Sequence, residues 1–269
     1  MVEDRPGPTP AFLCDTHIHT SLCDHATGEM EEYVLAGIEK GLKKIIFLEH
    51  MEEGINCEHK TWLSEKDFDQ YFAEGKKLQQ QYGSQIDIGL GVECGFNPDA
   101  SEKLKKRLQS RQWDQIGISC HFLKLEGTDT HINLFSRKEK YIQLALQEGV
   151  EKLLDRYFAT LTRAVQFLPG TMICHLDGAL RFVPQLQLTK SHYKQIAKLL
   201  SAAREKNMAV ELNSSGYDIR REQFPNNRIL EMVFSSKLAC LFGSDAHRPQ
   251  DVGRYFNDLK KLLPAAIHL

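Results

Sequence analysis

Seven short apolar runs recur along the chain, at AFLCD (11–15), KIIFL (44–48), IDIGLGVE (86–93), QIGISCH (115–121), TMICH (171–175), MAVELN (208–213) and LACLFGSD (238–245). Each has the length of a buried strand. Helical patterns separate them: EEYVLAGIEKG, with Tyr33, Val34, Gly37, Ile38 and Gly41 on one face, a segment near 65–82, and SEKLKKRLQS after Pro98. A long stretch over 137–168 follows, then 189–206, NRILEMVFSS and a final DVGRYFNDLKKLL. Strand–helix alternation along a whole chain predicts an α/β fold with a mainly parallel sheet, and seven unbroken units predict a closed or nearly closed barrel. The competing open, doubly wound sheet usually carries a GxGxxG or phosphate-loop turn after its first strand, and none stands here.

Length agrees with one barrel. The 269 residues exceed the roughly 250 of a typical α/β barrel only slightly. MVEDRPGPTP, with three prolines and a glycine, reads as a flexible tail over 1–10, leaving 11–269 as a single barrel domain. No apolar stretch approaches the roughly 20 residues of a bilayer span, and the N-terminus lacks the basic and apolar regions of a secretion signal. Seven cysteines, an odd number without a CxxC, oppose a disulfide framework and a thiolate zinc site, so a reducing cytoplasm is the expected compartment. A formal charge of -2 provides no global basic field for nucleic acid.

The chemistry is concentrated at the ends of the strands. The first run closes on Asp15-Thr16-His17-Ile18-His19, and residues two apart on a strand point to one side, so both imidazoles can reach one ion. His25 follows in LCDHATG. The next runs end in Glu49-His50, Glu93, His121 and His175, and the last in Asp245-Ala246-His247. A satisfied core histidine explains any one of these. It does not explain six strands ending alike at the edge where parallel barrels build active sites, because buried charges without partners cost several kcal/mol. Nine side chains, His17, His19, His25, His50, Glu93, His121, His175, Asp245 and His247, are too many for one ion and sufficient for two or three if a carboxylate bridges. Imidazole and carboxylate suit Zn, Mn or Fe.

In this combination, DTHIHTSLCDHATG, FLEH, GVE, SCHF, CHLDGALRF, VELNSSG and GSDAH resemble the PHP superfamily, named for polymerase and histidinol phosphatase domains. The likeness runs from Asp15 to about Asp251, and HATG is closer to the histidinol-phosphate phosphatase branch than to the polymerase-associated one. The resemblance implies a distorted (β/α)7 barrel of TIM-barrel type with three divalent ions. It also implies their ligands: His17, His19, Glu93 and Asp245 for the first; Glu93 as a bridge with His121 and His175 for the second; His25, His50 and His247 for the third. Catalysis is expected to rest on Asp245, Glu93 and His247. Glu49 departs from the Asp of many relatives at a position that does not ligate. The segment between His121 and Tyr141, including His131, matches no motif and is left to shape the substrate pocket.

Three divalent ions with two carboxylates leave an excess of about +4, which suits a phosphate dianion and hydroxide. Hydrolysis by metal-bound hydroxide is therefore expected, without a covalent intermediate; Ser119 and Ser244, near the ligands, are the rival nucleophiles. Arg181, six residues after His175, is the leading phosphate-binding residue, with Arg220 and Arg221 as weaker candidates. Asp177 is expected either to orient a ligand or to protonate the leaving alcohol. The resemblance implies L-histidinol phosphate as the small phosphorylated substrate, cleaved to L-histidinol and phosphate in histidine biosynthesis, with Asp177, Asp218 and Glu126 as acceptors for its amine. A phosphoesterase acting on nucleotides or nucleic-acid ends and a non-catalytic metal-binding module are the alternatives. His59, His192 and His268 read as surface residues, and Cys14, Cys23, Cys120 and Cys174 as packing.

Overall fold

A computed structural model describes residues 10–263. Seven strands form one parallel sheet: β1 Cys14–Ile18, β2 Lys44–Glu52, β3 Asp87–Gly95, β4 Ile116–Ser119, β7 Met172–Ile173, β8 Ala209–Asn213 and β9 Cys240–Gly243, hydrogen-bonded in that order. A single parallel bridge from Ile18 to Ala246 brings its two edges together, so the sheet is nearly closed into a distorted barrel. A separate antiparallel hairpin, β5 Phe122–Lys124 and β6 His131–Asn133, occupies the segment that matched no motif.

The strands follow the apolar runs, with differences that have local causes. Residues 11–13, expected in the first strand, form a 3-10 turn after Pro10, which has no N–H to give a ladder. The stretch over 137–168 divides into α4 Glu139–Glu148 and α5 Val150–Phe167 at Gly149, whose φ of 92° a helix cannot hold. The other helices are α1 Met30–Glu39, α2 Glu65–Tyr82, α3 Ser101–Gln109, α6 Lys190–Glu205, the short α7 Gly216–Arg220, α8 Asn227–Ser235 and α9 Phe256–Leu262. The last begins late because Gly253 and Tyr255 take positive φ. His192 is not a surface residue. It is buried in the first turn of α6, where its Nδ1 accepts the Thr189 N–H in a capping box. The tail expected over 1–10 lies outside the described residues except for Pro10, as does His268.

Alternation along the strands separates two apolar regions. Ile45, Phe47, Val92 and Ile118 face outward and pack with Tyr33, Phe68 and Tyr157 of the helices in the main core. Ile46, Leu48, Met172, Cys174 and Ala209 face inward and fill the barrel lumen. There Gly117 is obligatory, since a Cβ would stand 2.5 Å from Cys174 Sγ and 2.8 Å from Leu48. This plug forms a floor beneath the C-terminal ends of the strands. All seven cysteines are free, with Cys14, Cys23, Cys120 and Cys174 buried. Among the described residues, no helix is long and apolar enough to cross a membrane.

Candidate metal centre

Above the lumen floor, the nine expected ligands converge. His17 and His19 emerge from β1 on one side, with their Nε2 atoms 3.0 Å apart. Glu93 Oε2 lies 3.4 Å from His17 Nε2 and 3.6 Å from His19 Nε2, and Asp245 Oδ1 lies 3.8 Å and 3.4 Å from the same two atoms. The sheet register puts His50 directly beside Glu93, and its Nδ1 is 2.9 Å from Oε2. The other oxygen of Glu93 meets His175 Nε2 at 2.7 Å and His121 Nε2 at 2.9 Å. Glu93 is thus surrounded by five imidazoles. At the outer rim His25 and His247 meet Nε2 to Nε2 at 2.9 Å, and the His247 ring lies 4.4 Å from that of His19.

The hydrogen bonds on the far sides of the rings test whether this set fits cations. His25 Nδ1 bonds to the Cys23 carbonyl at 2.7 Å and His247 Nδ1 to the Asp245 carbonyl at 3.0 Å. A carbonyl only accepts, so both Nδ1 atoms carry hydrogen, and the neutral rings turn Nε2 lone pairs towards each other. His17 Nδ1 lies 2.7 Å from Glu211 and His121 Nδ1 lies 2.6 Å from Glu52, which likewise aims each Nε2 inward. Lone pairs opposed to lone pairs and to a carboxylate require positive charge between them. Buried His19 Nδ1 and His175 Nδ1 also lack hydrogen-bond partners among the described residues. Groups including His17–His19–Asp245, His17–Glu93–His175 and His19–His50–His247 each place three donors within 4.8 Å. The residues fit divalent cations.

Burial opposes ionisation of Glu93, yet the imidazoles around it, His121 and His17 foremost, hold its carboxyl well below the usual range. Asp245 is likewise held low against burial, by a hydrogen bond to His19 and the charge of His17. Burial, reinforced by the charge of His19, pushes His50 and His247 well below the usual imidazole range. The carboxylates are therefore anionic and these two imidazoles neutral, whereas, against their burial, Glu211 and Glu93 raise His17, Asp245 and Glu49 raise His19, and Glu93 and Glu52 raise His121 to about 10, so without metal these three hold protons that a cation would displace.

The supporting residues were harder to read in sequence. Glu211, between Val210 and Leu212 of β8, bonds His17 Nδ1 and accepts the His175 N–H at 2.6 Å. Glu52 follows His50 by two on β2 and orients His121. Asp15 accepts the N–H groups of Ser244 and Gly253, and Arg254 donates to the Ser244 and Asp245 carbonyls. These contacts hold a loop in which Asp245 takes φ 51°, and His175 takes φ 25° across the barrel. Such conformations are uncommon outside glycine. Glu49 accepts the N–H and hydroxyl of Thr20, consistent with a non-ligating position.

A cavity of about 510 Å³ opens over the cluster. Arg181 lines it, with buried Nε and Nη1 that have no hydrogen-bond partner and Asp245 Oδ2 at 3.9 Å as its nearest carboxylate. The other substrate-binding candidates are not brought there. Asp177 turns away and accepts the Asn226 N–H and side-chain amide, Arg220 donates to the Asp177 carbonyl, and Arg221 is exposed. Asp218 pairs with Arg254 and Tyr255, and Glu126 with Lys152. Ser119 spends its hydroxyl on the Cys94 carbonyl. His59 is exposed, as expected, and stands at the rim of the mouth, which Phe122, Asn133, Phe135 and Ser136 of the unmatched segment also line.

The PHP domain family matches residues 15–215, three quarters of the chain. The chain belongs to this family. A PHP-associated family matches residues 224–264, which supply β9 and the Asp245 loop. Among curated relatives, a Deinococcus radiodurans protein named "Probable histidinol-phosphatase" is 27% identical over 93% of this chain and 92% of its own length. A Listeria monocytogenes structure superposes with TM-score 0.82 at 20% identity, covering 91% of this chain and 99% of its own. The histidinol phosphate phosphatase of Lactococcus lactis, solved with Zn, L-histidinol and phosphate, gives TM-score 0.71 at 20% identity, covering 93% and 91%.

Proposed function

We propose that the chain is a divalent-metal-dependent phosphomonoesterase that hydrolyses L-histidinol phosphate to L-histidinol and phosphate. The observation that carries the reaction class is the meeting of nine candidate ligands, seven of them lining one cavity, with Arg181, whose Nε and Nη1 have no hydrogen-bond partner among the described residues. The alcohol rests on likeness to relatives that carry the histidinol-phosphatase name over nearly their whole length.

In this reading three ions, of zinc, manganese or iron, divide the ligands into His17, His19, Glu93 and Asp245; Glu93, His121 and His175; and His25, His50 and His247. When bound, such ions supply Lewis-acid charge and lower the pKa of water towards neutrality. The chain's own residues do the rest. Glu93 and Asp245 remain ionised and retain cations, Glu211 and Glu52 hold their imidazoles in the ligating tautomer, and Arg181 offers two N–H groups to phosphate oxygens. The alcohol faces Phe122, Tyr141 and Phe182, with neutral oxygens on Thr61, Asn133 and Ser136. Among the described residues that line the cavity, Glu93 and Asp245 are the only carboxylates and Arg137 and Lys138 are further cations, so the substrate ammonium would be met by the Thr61, Asn133 and Ser136 oxygens and not by Asp177, Asp218 or Glu126.

Protein loaded with zinc or manganese is expected to give a kcat/KM for histidinol phosphate at least about 100-fold above that for p-nitrophenyl phosphate or a nucleoside monophosphate. Equal rates, or a preference for the nucleotide, overturn the substrate. Metal analysis should return three ions per chain, and full activity with one ion overturns the three-ion division.

A further inference from the structure

We propose that Phe135 is a positioning residue that fixes the phosphate-gripping arginine and two of the metal-ligating histidines at once. The proposal rests on reading the cavity as a phosphomonoesterase centre. Phe135 belongs to the segment after His121 that matched no motif, yet its ring lies 4.7 Å from that of His175 and edge-on to that of His121 at 5.2 Å. Both histidines contact the same Glu93 oxygen. The guanidinium of Arg181 lies over the same ring, 5.1 Å from its centre, and over Phe182 at 5.5 Å.

Among the described residues, Arg181 Nε and Nη1 have no hydrogen-bond partner to fix the plane of the fork. A cation over an aromatic face is held by the ring quadrupole, so the two rings orient the fork while leaving its N–H groups free for a ligand. Phe182 is the chain neighbour of Arg181 and moves with it. Phe135 is the independent anchor, and its own backbone is tied on both sides of the barrel mouth. Leu134 N–H donates to the His121 carbonyl at 2.8 Å, Leu180 N–H donates to the Leu134 carbonyl at 2.7 Å, and Phe135 N–H donates to Asn133 Oδ1 at 2.9 Å. The loop after His175 is moulded to the ring, for a Cβ on Gly178 would stand 2.8 Å from Phe135 Cε1. One ring thus fixes the spacing between the phosphate clamp and the ions it serves.

Titration of inorganic phosphate into the zinc-saturated protein, followed by calorimetry, tests the arginine contact without any substrate. Phe135→Leu, which keeps apolar volume and loses the aromatic face, should weaken phosphate binding about 10-fold, and Phe135→Tyr should restore it. In an Arg181→Ala background the same Phe135→Leu change should have no further effect. Wild-type affinity in Phe135→Leu, or equal weakening with and without Arg181, overturns this part. For the histidines, Phe135→Ala should retain fewer zinc ions than wild type after dialysis at low free zinc, and unchanged zinc content overturns that part. Circular dichroism verifies folding, and Phe135→Leu replaces the alanine variant in the zinc test should it not fold. Failure to hydrolyse histidinol phosphate would overturn the substrate assignment and leave both tests intact.

Discussion

The floor and the mouth of the barrel are built from the same strands and follow opposite rules. On β2, Leu48 and His50 point to the same side two residues apart; Leu48 packs in the lumen, while His50 meets Glu93. Polar groups on the floor are partnered: Thr16 Oγ1 donates to the Phe242 carbonyl and Gln115 Nε2 to the Thr16 carbonyl. At the mouth, buried atoms of His19, His175 and Arg181 have no partner among the described residues. An unsatisfied buried polar group costs about 1–3 kcal/mol, so such a cluster persists only on a scaffold that other contacts stabilise. The floor supplies stability, and the mouth uses it to keep donors aimed at a ligand.

That contrast can be broken from either side. The largest effect is expected from Asp245→Asn, which should lower kcat by at least about 10³-fold while the thermal melt of metal-free protein stays close to wild type; retained turnover would remove Asp245 from the centre. Leu48→Ala on the floor should do the reverse, lowering unfolding free energy by about 3 kcal/mol in urea denaturation with little change in metal stoichiometry. Arg181→Ala should reduce kcat/KM by about 100-fold without altering zinc content. Glu211→Gln sharpens the boundary, because this carboxylate stands between floor and mouth. Weaker zinc binding, by about 10-fold or more in competition with a chelator, would place it with the mouth, whereas a loss of stability alone would place it with the floor.

The strand ends were legible because their signal is local. An HxH at the end of an apolar run places two rings on one side by backbone geometry alone, and six such ends can meet only where parallel strands gather. Loop residues carry no such rule. Asp177 is two residues from His175, yet it bonds Asn226, while Phe135, outside every motif, reaches the mouth. Glu211 read as a strand residue and Glu52 lay beyond the second run, and only the fold joins them to His17 and His121, 194 and 69 positions away.

The sequence by itself determined the seven-strand parallel barrel and the nine donors at its mouth, since apolar periodicity and i, i+2 alternation are short-range properties of the backbone. Only the tertiary structure decided which donors share Glu93, which carboxylates set the imidazole tautomers, and which side chains reach the cavity. Those outcomes depend on sheet register, on the positive φ of His175 and Asp245, and on the packing of Phe135 against Arg181, all of which are set by contacts between residues distant in the chain.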